Sequence, residues 1–376
     1  MDQVSRARIA VIAMFFFNGA LLGAWAARIP AIVARFELSE QALGLLLLCI
    51  AAGAIASFPL AGALSDRIGA ARLTRMIALA YAIGLALVGL APTVPLLAVA
   101  LLVFGAGHGA MDVTMNVWAA EVERARGRPI MASFHAMWSL GGGLGALLGA
   151  GAAALSMGPG THFTTFALIS GAAALWAARV PWSSTVSGGG TVFALPARAL
   201  LMVGLLALCS SVIEGAMTDW SAVFLSDALG ASEGVAPLGY VAFAVTMVAA
   251  RLTGDRVTAR LGPVRVARIS GMLASIGIVG LLIAPGPFWS LPAFVFTGLG
   301  VALIVPLCYS RAASDPDRPA GQAMAGVATL GYGGMLIAPA AIGFVAHASS
   351  LSLSFAMLAI LGAGIWLLAG GLARPR

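Results

Sequence analysis

The sequence predicts an all-α integral membrane protein of twelve transmembrane helices, arranged as two pseudo-symmetric six-helix bundles. Three observations predict it. The 376 residues are 61% hydrophobic and 9% charged, with a mean hydropathy of +1.01, which excludes a water-soluble domain of ordinary composition. Apolar windows able to cross about 30 Å of hydrocarbon recur at 9–27, 41–61, 73–91, 96–118, 130–155, 164–180, 198–222, 235–253, 266–284, 289–310, 323–346 and 352–372. The chain also repeats itself at a separation of about 190 residues, as a protein built from two similar helical bundles does. Asn18-Gly19-Ala20 returns as Glu214-Gly215-Ala216, Trp25 as Trp220, and Asp66-Arg67 as Asp255-Arg256. The glycines of Gly105-Ala106-Gly107 return in Gly298-Leu299-Gly300, and Gly141-Gly142 returns as Gly333-Gly334.

The repeat divides the chain into an N-terminal bundle, 1–180, a linker, 181–197, and a C-terminal bundle, 198–376. The linker, with Gly188-Gly189-Gly190, is too short to hold a soluble domain, so any chemistry belongs inside the bundles. All 21 basic residues are arginine. With the N-terminus cytoplasmic, only Arg28 and Arg35 face outward, so the bias towards inner loops places both termini in the cytoplasm. The net charge of +7 then implies contact with anionic membrane lipids and no nucleic-acid partner. Cys49, Cys209 and Cys308 fall within spans and offer neither a disulfide framework nor metal-ligand spacing. No cofactor or metal is expected. A basic start followed by an apolar run imitates a signal peptide, but eleven more spans follow, and the run reads as an uncleaved first helix.

Along the chain, the first span carries Asn18. The inner loop after the second span reads Gly62-Ala63-Leu64-Ser65-Asp66-Arg67-Ile68-Gly69-Ala70-Ala71-Arg72. An Asp at a helix end can meet an Arg or a helix N-terminus across a bundle, and such a latch would hold the cytoplasmic side closed. The plainer reading is that Arg67, Arg72 and Arg75 set topology. The second copy, Asp255-Arg256, is degraded, with Arg251 where Gly62 would repeat and Thr258 where Gly69 would.

The fourth span carries His108, Asp112 and Asn116 at i, i+4 and i+8, hence on one face. Ionisable groups within a span cost at least about 2 kcal/mol unless paired or hydrated, and no arginine stands at mid-span to pair with Asp112. Asp112 is therefore the expected proton carrier, with His108 as a second titratable neighbour. The fifth span offers His135, Trp138 and Ser139, then Gly141, Gly145 and Gly149 on one helical face, the pattern by which membrane helices approach closely. In the seventh, Glu214 stands where Asn18 does in the first, with Asp219 and Trp220 nearer the outer mouth. Tyr240, Tyr309 and Tyr332 are weaker candidates for solute contact.

The Gly62-to-Arg72 string resembles the Gly-x-x-x-Asp-Arg-x-Gly-x-x-Arg signature of the major facilitator superfamily, and the two-bundle plan resembles that superfamily along the whole chain. Asp112 with Asn116, followed by Pro129 to Gly142 with His135, Trp138 and Ser139, resembles the fucose/proton symporter group within it. That resemblance implies a proton carried at Asp112 and a solute facing His135; the acidic residue of that group's first helix is replaced here by Asn18. Asp112-Val113-Thr114-Met115-Asn116 and Gly127-Arg128-Pro129-Ile130-Met131 are more similar still to bacterial inner-membrane permeases of that branch.

The expectation is an alternating-access transporter, monomeric, in which Asp112 and His108 handle the proton while Asn18, Asn116, His135, Trp138 and Glu214 hold a small polar solute, a sugar among the candidates. Gating falls to Gly62, Asp66, Arg67, Gly69, Arg72, Asp255 and Arg256. The alternative within transport is proton-driven export of a drug or metabolite. An intramembrane enzyme or metal protein on His108, Asp112 and His135 is the other class, but the chain has no His-Glu-x-x-His or Gly-x-Ser-x-Gly string.

Overall fold

The computed structural model describes residues 2–127, 130–184, 198–316 and 320–373. Most of the expected linker, with its three glycines, therefore lies outside the described residues, as do Arg128 and Pro129. Every expected span coincides with helix, and no strand occurs among the described residues. Contacts divide the chain into two compact units: Met1–Leu38 with Leu46–Gly189, and Ser39–Leu45 with Gly190–Arg376.

In the N-terminal unit, α1 (Gln3–Ala27) is the first span and starts at Asp2, whose Oδ1 accepts the Ser5 N–H at 2.7 Å. The Ser5 side chain first, and this backbone bond after it, hold the Asp2 carboxyl below its usual range. A short helix not expected from the sequence, α2 (Ile29–Phe36), follows and ends where Glu37 turns left-handed. The later spans of this unit are α3 (Glu40–Ile68), α4 (Ala70–Leu90), α5 (Val94–Arg126), α6 (Met131–Ala154) and α7 (Pro159–Ala177). The C-terminal unit has α8 (Leu201–Asp227), α9 (Leu238–Leu261), α10 (Pro263–Ile283), α11 (Pro287–Val301), α12 (Ile304–Ala313), α13 (Ala320–Ala348) and α14 (Leu351–Leu368). The tenth expected span is thus two helices, α11 and α12, with a break at 302–303.

Ten of the described helices or helix pairs are long and apolar enough to cross a membrane. The two expected spans outside that set are α7, which opens on the polar Thr161, His162, Thr164 and Thr165, and α9, which carries Arg251, Asp255, Arg256 and Arg260.

Backbone contact at glycine holds the N-terminal unit together. A Cβ added to Gly19 or Gly23 of α1 would overlap the carbonyls of Trp138 or Gly142 on α6, and one added to Gly141 or Gly145 would overlap Phe16 or Ala20 in return. With no hydrophobic drive between helices in lipid, this approach supplies the dispersion contact that associates them. Gly105 and Gly109 of α5 meet Ile50 and Ala54 of α3 in the same way. An aromatic core of Trp25, Tyr81, Phe104 and Phe163 fills the space beyond, with the Tyr81 and Phe104 rings stacked at 4.8 Å. In the C-terminal unit, Gly271 and Gly277 of α10 lie against α14 and α11, and Phe224 stacks on Phe355 at 4.3 Å.

The turns α3–α4 and α9–α10 are equivalent. Gly69 and Gly262 each precede the next helix with φ of +87° and +79°, a conformation open mainly to glycine. The true repeat of Gly69 is therefore Gly262, one turn beyond the Thr258 expected from sequence spacing, because α9 runs on to Leu261.

Candidate functional site

Each unit has its own polar centre. In the N-terminal unit it forms around Asn18, which is fully buried on α1. The Trp138 indole N–H donates to Asn18 Oδ1 at 2.8 Å, and Asn18 Nδ2 donates to the His108 carbonyl at 3.4 Å. The Tyr81 hydroxyl lies 3.3 Å from His108 Nδ1 and 3.4 Å from the Asn18 carbonyl. Helices α1, α4, α5 and α6 are thus stitched at one level by Asn18, Tyr81, His108 and Trp138.

One turn further along α5, Asn116 Nδ2 donates to both the backbone carbonyl and Oδ1 of Asp112, at 2.8 and 3.3 Å. Both residues are half-buried. The i, i+4 spacing read from the sequence produces this pair. His135, on α6, is exposed and stands edge-on to Phe15 at 5.2 Å. The structure therefore joins Asn18, His108 and Trp138 in one network and Asp112 with Asn116 in another, while His135 takes an aromatic neighbour.

In the C-terminal unit the centre is an ion pair. Glu214 Oε1 on α8 lies 3.3 Å from Arg251 Nη2 on α9. Arg251 belongs to a span interior: the sequence reading grouped it with inner-loop cations because it ended the eighth span at 253, whereas α9 continues to Leu261. Arg251 thus stands inside α9 and not in the loop after it. Tyr240, fully enclosed, shares a side-chain hydrogen bond with Thr218 and lies within electrostatic reach of Glu214, Asp219 and Arg251.

Of the expected gating residues, Asp66 and Arg67 sit in the last turn of α3, Arg72 in the first turn of α4, and Asp255 and Arg256 on the exposed side of α9. Asp66 and Arg67 take part in none of the ion pairs among the described residues. Gly69 is approached by Ser184, whose Oγ accepts the Ala71 N–H at 3.2 Å.

Several polar anchors escaped the sequence reading. Arg75 donates to the carbonyls of Ala178 and Val180, and Glu121 accepts the Trp182 indole N–H at 2.8 Å, so the chain leaving α7 is tied to the start of α4 and the end of α5. Glu123 Oε2 accepts the N–H groups of Ile130 and Met131 at 2.6 and 2.7 Å and thereby caps the start of α6. Among the described residues, no group of three or more His, Cys, Asp or Glu is placed to hold a metal ion.

The family model of the Major Facilitator Superfamily matches residues 9–339. The chain belongs to the major facilitator superfamily. Similar superfamily proteins include an uncharacterized transporter of Sinorhizobium fredii, 44% identical over 362 residues that make up 96% of each chain. An uncharacterized MFS-type transporter of Yersinia pestis is 36% identical, covering 92% of this chain and 91% of that one. The membrane protein MosC of Rhizobium meliloti is 34% identical, covering 95% and 87%. Among solved structures, a D323A mutant of the nucleoside transporter NupG superposes with a TM-score of 0.77 at 12% identity, over 99% of this chain and 100% of that one. A bacterial homologue of the human lysosomal transporter Spinster gives 0.76 at 15% identity, over 99% and 98%. At such identities the two structures establish the superfamily fold alone. As a member of the superfamily the chain is a multi-pass membrane transporter, and its cargo is a small molecule.

Proposed function

We propose that this superfamily member is a proton-coupled symporter of a small polar solute, a sugar being the class to test first, working by alternating access in the bacterial inner membrane with both termini cytoplasmic. The observation that carries the reading is the Asp112–Asn116 pair on α5, a half-buried carboxylate within an expected span that accepts a hydrogen bond from the amide one turn further on. A proton on this carboxyl would remove its charge, which is what a carrier that must cross the cycle both loaded and empty requires. His108, one turn earlier, is placed to relay that proton, with Tyr81 orienting its ring.

We assign solute contact to Asn116, His135 and Glu214. Asn18 and Trp138 already bond each other, so their role is to order the wall on which His108 stands. Gly62, Asp66, Arg67, Gly69 and Arg72, with Asp255 and Arg256, are assigned to cytoplasmic gating. A monomer suffices, since one chain contains both units. The alternative of exporting a cationic drug by antiport draws less support, because Glu214 already has a cation beside it in Arg251.

The test is the electrical current from proteoliposomes on a solid-supported membrane as neutral sugars are added, with the native chain and Asp112→Asn side by side. A sugar-evoked current in the native protein that the variant lacks is the expected result. A current of equal size in the variant removes Asp112 as carrier, and silence of correctly folded native protein across the panel removes the sugar class.

A further inference from the structure

The tenth span breaks for a reason visible in the sequence. Pro306 has no N–H, and its ring crowds the carbonyl four residues earlier, that of Ala302. Helix α11 accordingly stops at Val301 and α12 starts at Ile304, which leaves carbonyls inside the membrane that the helix itself cannot satisfy. Two side chains from neighbouring helices supply the missing donors. Ser210 Oγ of α8 donates to the Val301 carbonyl at 3.3 Å, and Arg251 Nε of α9 donates to the Ala302 carbonyl, also at 3.3 Å. The other end of the same guanidinium, Nη2, lies on Glu214.

We infer that Arg251 is a positioning residue that ties the carboxylate of Glu214 to the break in the tenth span, so that whatever neutralises or displaces that carboxylate loosens the break. The planar fork of arginine suits the task, since it presents separate N–H groups to a carboxylate and to a carbonyl at once. Helix α9 also meets the break at Gly254, where a Cβ would overlap the tip of the Leu303 side chain.

The internal repeat supplies a control within the molecule. Where the C-terminal unit has Glu214, Arg251 and Pro306, the N-terminal unit holds Asn18 and, in the register set by Gly69 and Gly262, Phe58 and Val113. There α5 runs unbroken from Val94 to Arg126. The proline, the arginine and the acid are present together in one unit and absent together from the other, as parts of one device would be. Among the described residues, Tyr240 lies within electrostatic reach of Glu214, Asp219 and Arg251, and Thr218 donates to the Glu214 backbone carbonyl at 2.9 Å.

Cys308, fully buried two residues past Pro306, reports on the break without any knowledge of the solute. In a Cys49→Ser, Cys209→Ala background, maleimide labelling of Cys308 is timed in purified full-length protein, with folding checked by gel filtration. Glu214→Gln, which removes only the charge, is expected to speed labelling at least tenfold. Glu214→Gln with Arg251→Met, a neutral pair that leaves no lone charge, is expected to label at least as fast. Adding Pro306→Ala to that pair supplies at residue 306 a backbone N–H for the Ala302 carbonyl and is expected to return labelling to the native rate. Native-rate labelling in Glu214→Gln, or fast labelling that persists after Pro306→Ala, overturns the inference. Because the readout is thiol accessibility, a negative result here is separable from a failure of sugar/proton symport.

Discussion

Asn18 uses both ends of its amide within the N-terminal unit, one on Trp138 and one on the His108 carbonyl, and has no exposed surface. Asn18→Leu leaves the indole N–H without its acceptor in a place water does not reach, which costs about 1–3 kcal/mol. The expected outcome is a melting temperature in detergent lowered by several degrees, with Trp138→Phe in the same chain adding little, since the two substitutions remove one bond. Equal and additive losses would show that the pair is not the unit of stability. Asp112 and Asn116 were legible as a pair in the sequence, because i, i+4 on a helix is a distance. Tyr81 and Trp138 were not legible as partners of His108 and Asn18. Their contacts join helices far apart in the chain, and a linear reading supplies the face of a helix without its neighbour.

At the scale of elements, the approach of α1 to α6 rests on Gly19, Gly23, Gly141 and Gly145, each meeting backbone across the contact. Gly151, on the same α6, has open space where a Cβ would go. Gly141→Ala is expected to destabilise by about 1–3 kcal/mol through overpacking, whereas Gly151→Ala leaves stability unchanged or raises it by relieving chain entropy. Thermal unfolding followed by Cys accessibility distinguishes the two, and equal tolerance at both positions would refute the close-contact reading. The glycine spacing of α6 announced this contact in the sequence. The break between α11 and α12 was equally announced, by Pro306, but its meaning depends on the donor that fills the gap, and Arg251, near the expected end of the eighth span, was counted with the inner cations although α9 continues to Leu261. Helix ends are where a hydropathy window is weakest, because the last turns of a span carry the polar residues that the window averages away.

For the whole molecule, the arrangement of arginines predicts a sidedness that can be read with a protease. Arg67, Arg72, Arg124, Arg256, Arg260 and Arg265 are exposed near helix ends expected on the inner side. Arg28 is buried with its guanidinium on the Met157 carbonyl, and Arg35 bonds the carbonyls of Gly89 and Ala91. Trypsin cleaves after arginine, and this chain has no lysine, so inside-out vesicles should be cut rapidly and right-side-out vesicles should resist. Cleavage of sealed right-side-out vesicles would place the inner loops outside and reverse the orientation. The two-bundle plan was readable from the internal repeat, whereas the distinct chemistry of the two centres was not, since Asn18 and Glu214 look like equivalents until their partners are known. The glycine contacts carry a further consequence for anyone who maps this protein by saturation mutagenesis and growth selection. Every amino-acid change reached by one base from a glycine codon adds a Cβ, so Gly19, Gly23, Gly141 and Gly145 will score as intolerant as any residue that handles cargo. A map of lost growth alone will draw the transport pathway through helix seams that no solute touches.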